Sequence, residues 1–301
     1  MKNLSLDFDL TAYRADRGRL ILDALDRYTP PASTPPSALH EAMRYSLLGN
    51  GKKVRPLLCV AGAEAVGGSA RDVLPMACAL EMIHTFSLIH DDLPAIDNDD
   101  YRRGVLTSHK KFGEAMAILA GDALHTLAFE TIAVHQKAAN PARIVRCIAR
   151  LAQASGTPGM VGGQVDDIYY ERRPVTPDIL RSIHERKTGA LLNASLFCGA
   201  ILSGADAMQE AALEAYGTQV GLAFQIVDDI LDVTGDDATL GKPAGSDLKH
   251  DKATYPKLFG LDTSVHLARE AADNATAALS DFGPSADPLR AFAFYIVERE
   301  A

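Results

Sequence analysis

From Leu88 the chain reads Leu-Ile-His-Asp-Asp-Leu-Pro-Ala-Ile-Asp-Asn-Asp-Asp-Tyr-Arg-Arg-Gly, ending at Gly104. Five carboxylates and then two guanidiniums thus follow an apolar run. Adjacent aspartates without a counter-charge repel by roughly 4 kcal/mol for a pair about 4 Å apart at an effective dielectric near 20. The cluster therefore calls for a cation. Oxygen-only ligands suit a hard ion such as Mg2+, which keeps several waters and bridges carboxylates to substrate phosphates. Arg102 and Arg103 are phosphate partners by type. A second cluster, Asp228-Asp229-Ile230-Leu231-Asp232, lies among Phe224, Ile226, Val227, Ile230 and Leu231. Those flanks are too apolar for a solvated acidic face. Asp228 and Asp232, four apart, share one face of a regular helix.

The elements that must position these groups are helical. Ala and Leu dominate, Trp is absent, and no alternating β-branched run reaches strand length, so the chain reads as all-α. Helical spacing covers Leu10 to Tyr28 and Ala38 to Leu48, and Arg55-Pro56 opens a third helix. Lys52, Lys53 and Arg55 then stand at a loop-to-helix junction, where anions bind readily. Ala70 to about Leu93 reads as one long buried helix carrying Glu81, His84 and His90. His84 and Asp91 fall within about 20° of each other on it, roughly 10 Å apart along the axis. Asp97 cannot join Asp91 on an unbroken helix. Pro94 removes the bond to the His90 carbonyl, so a bulge or helix end should swing Asp97 back.

Further helices are expected over Phe112 to His135, from Pro141 to Ala154, and from Thr176-Pro177-Asp178 to Ser203, the last containing Lys187-Thr188-Gly189. Gly162-Gly163-Gln164 leads into Asp166-Asp167. Two glycines in a helical run each cost about 1 kcal/mol relative to Ala unless another backbone or a ligand approaches closely. After Thr234-Gly235 comes a polar loop with Lys242 and Lys252, and helices resume at Tyr255-Pro256.

At 301 residues with 47% apolar content, the chain can bury a sizeable core. The net charge of -9 with no basic stripe argues against nucleic-acid binding. Cys59, Cys78, Cys147 and Cys198 lack CxxC spacing and sit in apolar contexts, so buried free thiols in a reducing cytoplasm are expected. No uninterrupted membrane-spanning run is expected, and neither is a signal peptide. Carboxylate-held metal ions and lysines at 187, 242 and 252 would neutralise a leaving diphosphate and so lower the barrier to breaking its C–O bond. Lys52, Arg55, His84 and Arg103 would form a metal-free pocket for a second diphosphate.

From about Ala38 to the C-terminus the chain resembles the trans-isoprenyl diphosphate synthases, most closely bacterial farnesyl diphosphate synthases. The resemblance rests on Asp91-Asp92-Leu93-Pro94-Ala95-Ile96-Asp97 with Arg102-Arg103 behind, Asp228-Asp229-Ile230-Leu231-Asp232, Gly51-Lys52-Lys53-Val54-Arg55-Pro56, Lys187-Thr188 and Gly241-Lys242, in that order. It implies a single polyprenyl synthase domain over 1–301, a bundle of ten or more helices around a deep cavity, a homodimer, and three Mg2+ ions per site. By the same resemblance Asp91, Asp97 and Asp228 are principal metal ligands, supported by Asp92, Asp229 and Asp232. Arg102, Lys187, Lys242 and Lys252 hold the allylic diphosphate; Lys52, Arg55, His84 and Arg103 hold isopentenyl diphosphate. The Lys187 carbonyl, Thr188 and Gln225 lie against the allylic cation, and Gln164 with Asp167 matches a further polar pair. Lys53 and Asp166 have no counterpart role. Phe86, bulky and five before Asp91, with the small Ser87 beside it, implies a floor that stops growth at fifteen carbons. Glu81-Met82-Ile83-His84-Thr85 also resembles plant-type geranylgeranyl synthases, so a twenty-carbon product is the alternative.

Three other readings compete. His84, His90-Asp91 and a distant Asp could form a helical HD-type metal phosphohydrolase, which leaves the second cluster and the lysines unexplained. A class I terpene cyclase needs no isopentenyl pocket. A noncatalytic synthase subunit typically lacks one aspartate motif, and this chain has both.

Overall fold

Every residue from Leu74 to Ile83 is buried, so the helix they begin must be enclosed on all sides. The architecture follows from that requirement. In a computed structural model, residues 8–235 and 253–298 are described. They form α1 Leu10–Tyr28, α2 Ser37–Leu47, α3 Val54–Ala65, α4 Leu74–Asp91, α5 Ser108–Phe112, α6 Glu114–His135 and α7 Pro141–Ser155. These are followed by α8 Met160–Tyr169, α9 Pro177–His184, α10 Ala190–Ser203, α11 Ala207–Thr234, α12 Tyr255–Phe259, α13 Leu261–Ala278 and α14 Asp287–Glu298. The all-α expectation holds.

The enclosed helix α4 packs against α3 and α6, while α10 packs against α3, α7 and α11, and α11 against α13. One continuous apolar core runs through all of them. Each fully buried leucine, such as Leu58 or Leu80, stabilises it by about 2 kcal/mol. Close backbone approach fixes the α3–α10 contact: a Cβ on Gly199 would overlap the Cys59 carbonyl. At the start of α11, Asp206 accepts from Gln209 N at 2.9 Å while Gln209 Oε1 accepts from Asp206 N at 3.0 Å, a reciprocal cap. All four cysteines are buried and free.

Several boundaries differ from the sequence reading, each for a local reason. The helix expected from Ala70 opens as a 3-10 turn, Ala70–Val73, because Pro75 needs the first turn of α4. Gly113, at φ 86°, separates α5 from α6 within the run read as one helix. Between α9 and α10 the chain passes through a π-helical turn, Glu185–Gly189. A small hairpin that was not foreseen pairs β1, Tyr101–Arg102, with β2, Val105–Leu106. Arg103 and Gly104, at φ 53° and 78°, supply its primed turn. By length and composition Ala70–Asp91 and α6 also reach what a membrane span needs, contrary to expectation. The first of these lies mostly inside the bundle, 72% buried.

Candidate active site

The first acidic motif depends on where α4 stops. Its last residue is Asp91, and Leu93 N donates to His90 O at 3.2 Å, tightening the turn that Pro94 enforces. Asp97 N then donates to Asp91 O at 2.9 Å, and Asn98 N to Leu93 O at 3.1 Å. The six-residue loop thus closes on itself, and Asp97 returns beside Asp91 as the position of Pro94 predicted. Asp92 pairs with Arg102 of the β1–β2 hairpin. It is buried, and its Oδ1 accepts from Arg102 Nε at 2.6 Å and lies 2.6 Å from Arg102 Nη2. Burial pushes its carboxyl up to about 6, against the opposing pull of Arg102. Asp99 lies 3.7 Å from the same guanidinium.

The second motif needs no break. Asp228 and Asp232 occupy consecutive turns of α11, with Gln225 one turn before Asp228. Asp229 also holds a neighbouring segment. Its Oδ2 accepts from Tyr255 N at 2.9 Å, tying α11 to the start of α12, and its Oδ1 lies 3.9 Å from His184 Nε2. One step along a helix turns a side chain about 100°, which sends Asp229 towards α9 and α12. Burial pushes the His184 imidazole down to about 4.

The basic junction lies at the start of α3. Lys53, at φ 48°, precedes the helix and donates to Leu47 O at 2.8 Å, so it closes α2. Arg55 is buried at 9% exposure. Burial pushes its guanidinium down to about 10, with Glu81 and Asp228 favouring the charge and Arg103 opposing it. A Cβ on Gly51 would overlap the Arg103 guanidinium, so that arginine lies close against the Gly51 backbone. Burial, then Arg55 and Arg103, hold the His84 imidazole well below its usual range, so it is neutral among these cations. Lys52 is exposed.

On the far side, α8 meets the π-helical turn. A Cβ on Gly163 would overlap the Lys187 backbone, which answers why two glycines interrupt this helix. Lys187 Nζ donates to Asp167 Oδ2 at 2.6 Å, and Arg186 pairs with Asp166. Gln164 is half-buried, and neither of its enclosed amide atoms has a partner. Phe86 is half-buried, its ring edge-on to His90 and His125 with centroids 4.8 and 5.1 Å apart. Ser87 Oγ donates back to His84 O at 2.8 Å. Lys242 and Lys252 lie outside the described residues.

Sequence reasoning named Glu81 without giving it a role and missed Arg186 and His184. Glu81 left a signal, an ionisable residue within a wholly buried run. The Arg186–Asp166 pair and the His184–Asp229–Tyr255 contacts join distant segments and left none.

The profile of the polyprenyl synthetase family matches residues 36–281. The chain belongs to that family and is a trans-prenyltransferase. It is 48% identical over 297 residues to geranylgeranyl pyrophosphate synthase 7, chloroplastic, of Arabidopsis thaliana, covering 97% of this chain and 85% of that one. A solved FPP/GFPP synthase of Zymomonas mobilis superposes with a TM-score of 0.86 at 38% identity, covering 96% and 98% of the two chains. A Helicobacter pylori geranyltransferase complexed with magnesium and isoprenyl diphosphate superposes at 0.85 with 31% identity, covering 97% and 98%.

Proposed function

We propose that the chain condenses isopentenyl diphosphate with allylic diphosphates and releases geranylgeranyl diphosphate. The arrangement of the two acidic motifs supports the reaction: the bond from Asp97 N to Asp91 O at 2.9 Å folds the first back on itself, and Asp228 and Asp232 occupy consecutive turns of α11. The twenty-carbon product, favoured over the fifteen-carbon expectation, is supported by the names of relatives such as the Arabidopsis enzyme, matched over nearly the whole chain. Fifteen carbons remains the second reading, because Phe86 is braced by two imidazoles as a wall would be.

Asp91, Asp97 and Asp228, with Asp232 in support, would hold Mg2+. Among the described residues no three His, Cys, Asp or Glu side chains converge to hold an ion unaided. The donor set is carboxylate oxygen, the type taken by an ion that keeps waters and shares the oxygens of a diphosphate. When bound, Mg2+ stabilises the charge of the departing diphosphate. The protein's own groups do the rest. Lys187 turns from Asp167, and Arg102 from Asp92, to the allylic diphosphate, joined by Lys242 and Lys252. Lys52, Arg55, His84 and Arg103 hold isopentenyl diphosphate. Thr188, Gln225 and the Lys187 carbonyl face the allylic cation, with Gln164 and Asp167 behind them. No side chain is needed as base, since the released diphosphate accepts the proton. The enzyme acts in the cytoplasm as a homodimer, and the exposed apolar residues Ile118, Leu119 and Val134 on α6 support the dimer alone.

Chromatography of the products from the protein and from Phe86→Ala tests this. Twenty carbons from the unaltered chain is expected. Fifteen, lengthened by Phe86→Ala, would establish the second reading, and no prenyl product would overturn both.

A further inference from the structure

Glu81 is 1% exposed on the wholly buried stretch of α4, where an ionised carboxylate needs compensation. Its Oε1 lies 3.3 Å from Lys53 Nζ, and that lysine is itself 5% exposed and bonded to the carbonyls of Leu47 and Gly49. Its Oε2 has no hydrogen-bond partner, and neither does Nε of the buried Arg55. Glu81 also favours the charge of Arg103. Glu81 thus pairs directly with Lys53, and its charge also favours those of Arg55 and Arg103 at the same junction. Lys53 accounts for one of its oxygens; the other is buried without a hydrogen bond.

We propose that Glu81 is a positioning residue for the isopentenyl diphosphate pocket. It acts as the internal counter-anion that keeps Arg55 and Arg103 converged while leaving their outward N–H groups for the incoming diphosphate. The inference rests on the assignment of that pocket under the proposed function. A carboxylate in this place does two things for binding. It offsets repulsion between cations that would otherwise splay the site, and it fixes the arginines before the substrate arrives, reducing the ordering cost of binding. The substrate then meets a preformed fork, not mobile charges.

The test measures KM for each substrate, turnover and the thermal midpoint for four variants of the full-length protein. Glu81→Gln keeps the shape and removes the charge; it should raise KM for isopentenyl diphosphate about tenfold and leave KM for the allylic substrate within twofold. Lys53→Met with Glu81→Gln removes the buried pair together, so the thermal midpoint should recover while KM for isopentenyl diphosphate stays raised. Recovery of both would overturn the proposal, because Glu81 would then serve only as the partner of Lys53. Equal rises in both KM values would also overturn it. Lys53→Met alone should lower the midpoint with a smaller change in KM; a KM rise matching that of Glu81→Gln would assign the role to the lysine. Arg55→Gln separates this inference from the reading beneath it. If that variant leaves KM for isopentenyl diphosphate unchanged, the pocket itself is misplaced, whereas a rise there without one in Glu81→Gln defeats only the role of Glu81.

Discussion

The two acidic motifs reach the same end by opposite means. On α11 the helix continues, and its periodicity alone brings Asp228 and Asp232 to one face. On α4 the helix must stop: Asp91 is its last residue, and the loop folds Asp97 back through the bond from Asp97 N to Asp91 O. The middle aspartates are alike in a different way. Asp92 is tied to Arg102 and Asp229 to the amide of Tyr255, so each anchors a neighbouring segment. The comparison separates the aspartates tied to a neighbouring segment, Asp92 and Asp229, from those assigned above to the metal ions, a distinction the repeated Asp-Asp pairs conceal.

The largest expected effect tests the proposed metal ligands. Asp91→Ala or Asp228→Ala should lower turnover on the order of a thousandfold, as expected for removal of groups that stabilise developing charge. Thermal unfolding should change little, since neither side chain serves the core. Full turnover by either variant, or by the unaltered protein in excess chelator, would sink the proposed chemistry.

Asp229→Ala should behave in the opposite sense. It strands the Tyr255 amide, so denaturant unfolding should show a loss of about 1–3 kcal/mol, with turnover reduced far less than in Asp228→Ala. Equal losses of turnover with unchanged stability would erase the contrast between the two residues.

A smaller effect concerns His184, which lies against Asp229 and whose imidazole burial pushes down to about 4. Unfolded, it protonates near 6.5; folded, it remains neutral until about 4. The unfolded state therefore binds more protons in that window, and stability falls as pH drops through it. This residue contributes about 1 kcal/mol of that loss by pH 5.5. Denaturation at several pH values, repeated with His184→Phe, should show a shallower slope in the variant; identical slopes would mean that His184 is not held neutral.

These contrasts also mark what the sequence could reveal. The bounds of α1 coincide with the expected helix, because Leu10, Tyr13, Leu20, Ile21 and Leu25 carry the period and Thr29-Pro30-Pro31 ends it. Pro94 was enough to foresee the return of Asp97, since a missing donor has a local consequence. Spacing sufficed for Asp228 and Asp232. It could not disclose Asp229's commitment, because the partner is a backbone amide 26 residues away. The β1–β2 hairpin was hidden for another reason: two-residue strands have no measurable alternation. The π-helical turn at Lys187 was equally hidden, as its register is set by Gly163 and the Arg186–Asp166 pair across the α8 contact.

The central claim is that α4 and α11 act on one shared anion. It is tested most directly by a double-mutant cycle on binding of an unreactive allylic thiolodiphosphate with Mg2+, using Asp91→Asn, Asp228→Asn and the pair together. If both carboxylates hold the same metal-bridged diphosphate, the losses should be non-additive by roughly 1–3 kcal/mol. Strict additivity within about 0.3 kcal/mol would show two independent sites and contradict the account.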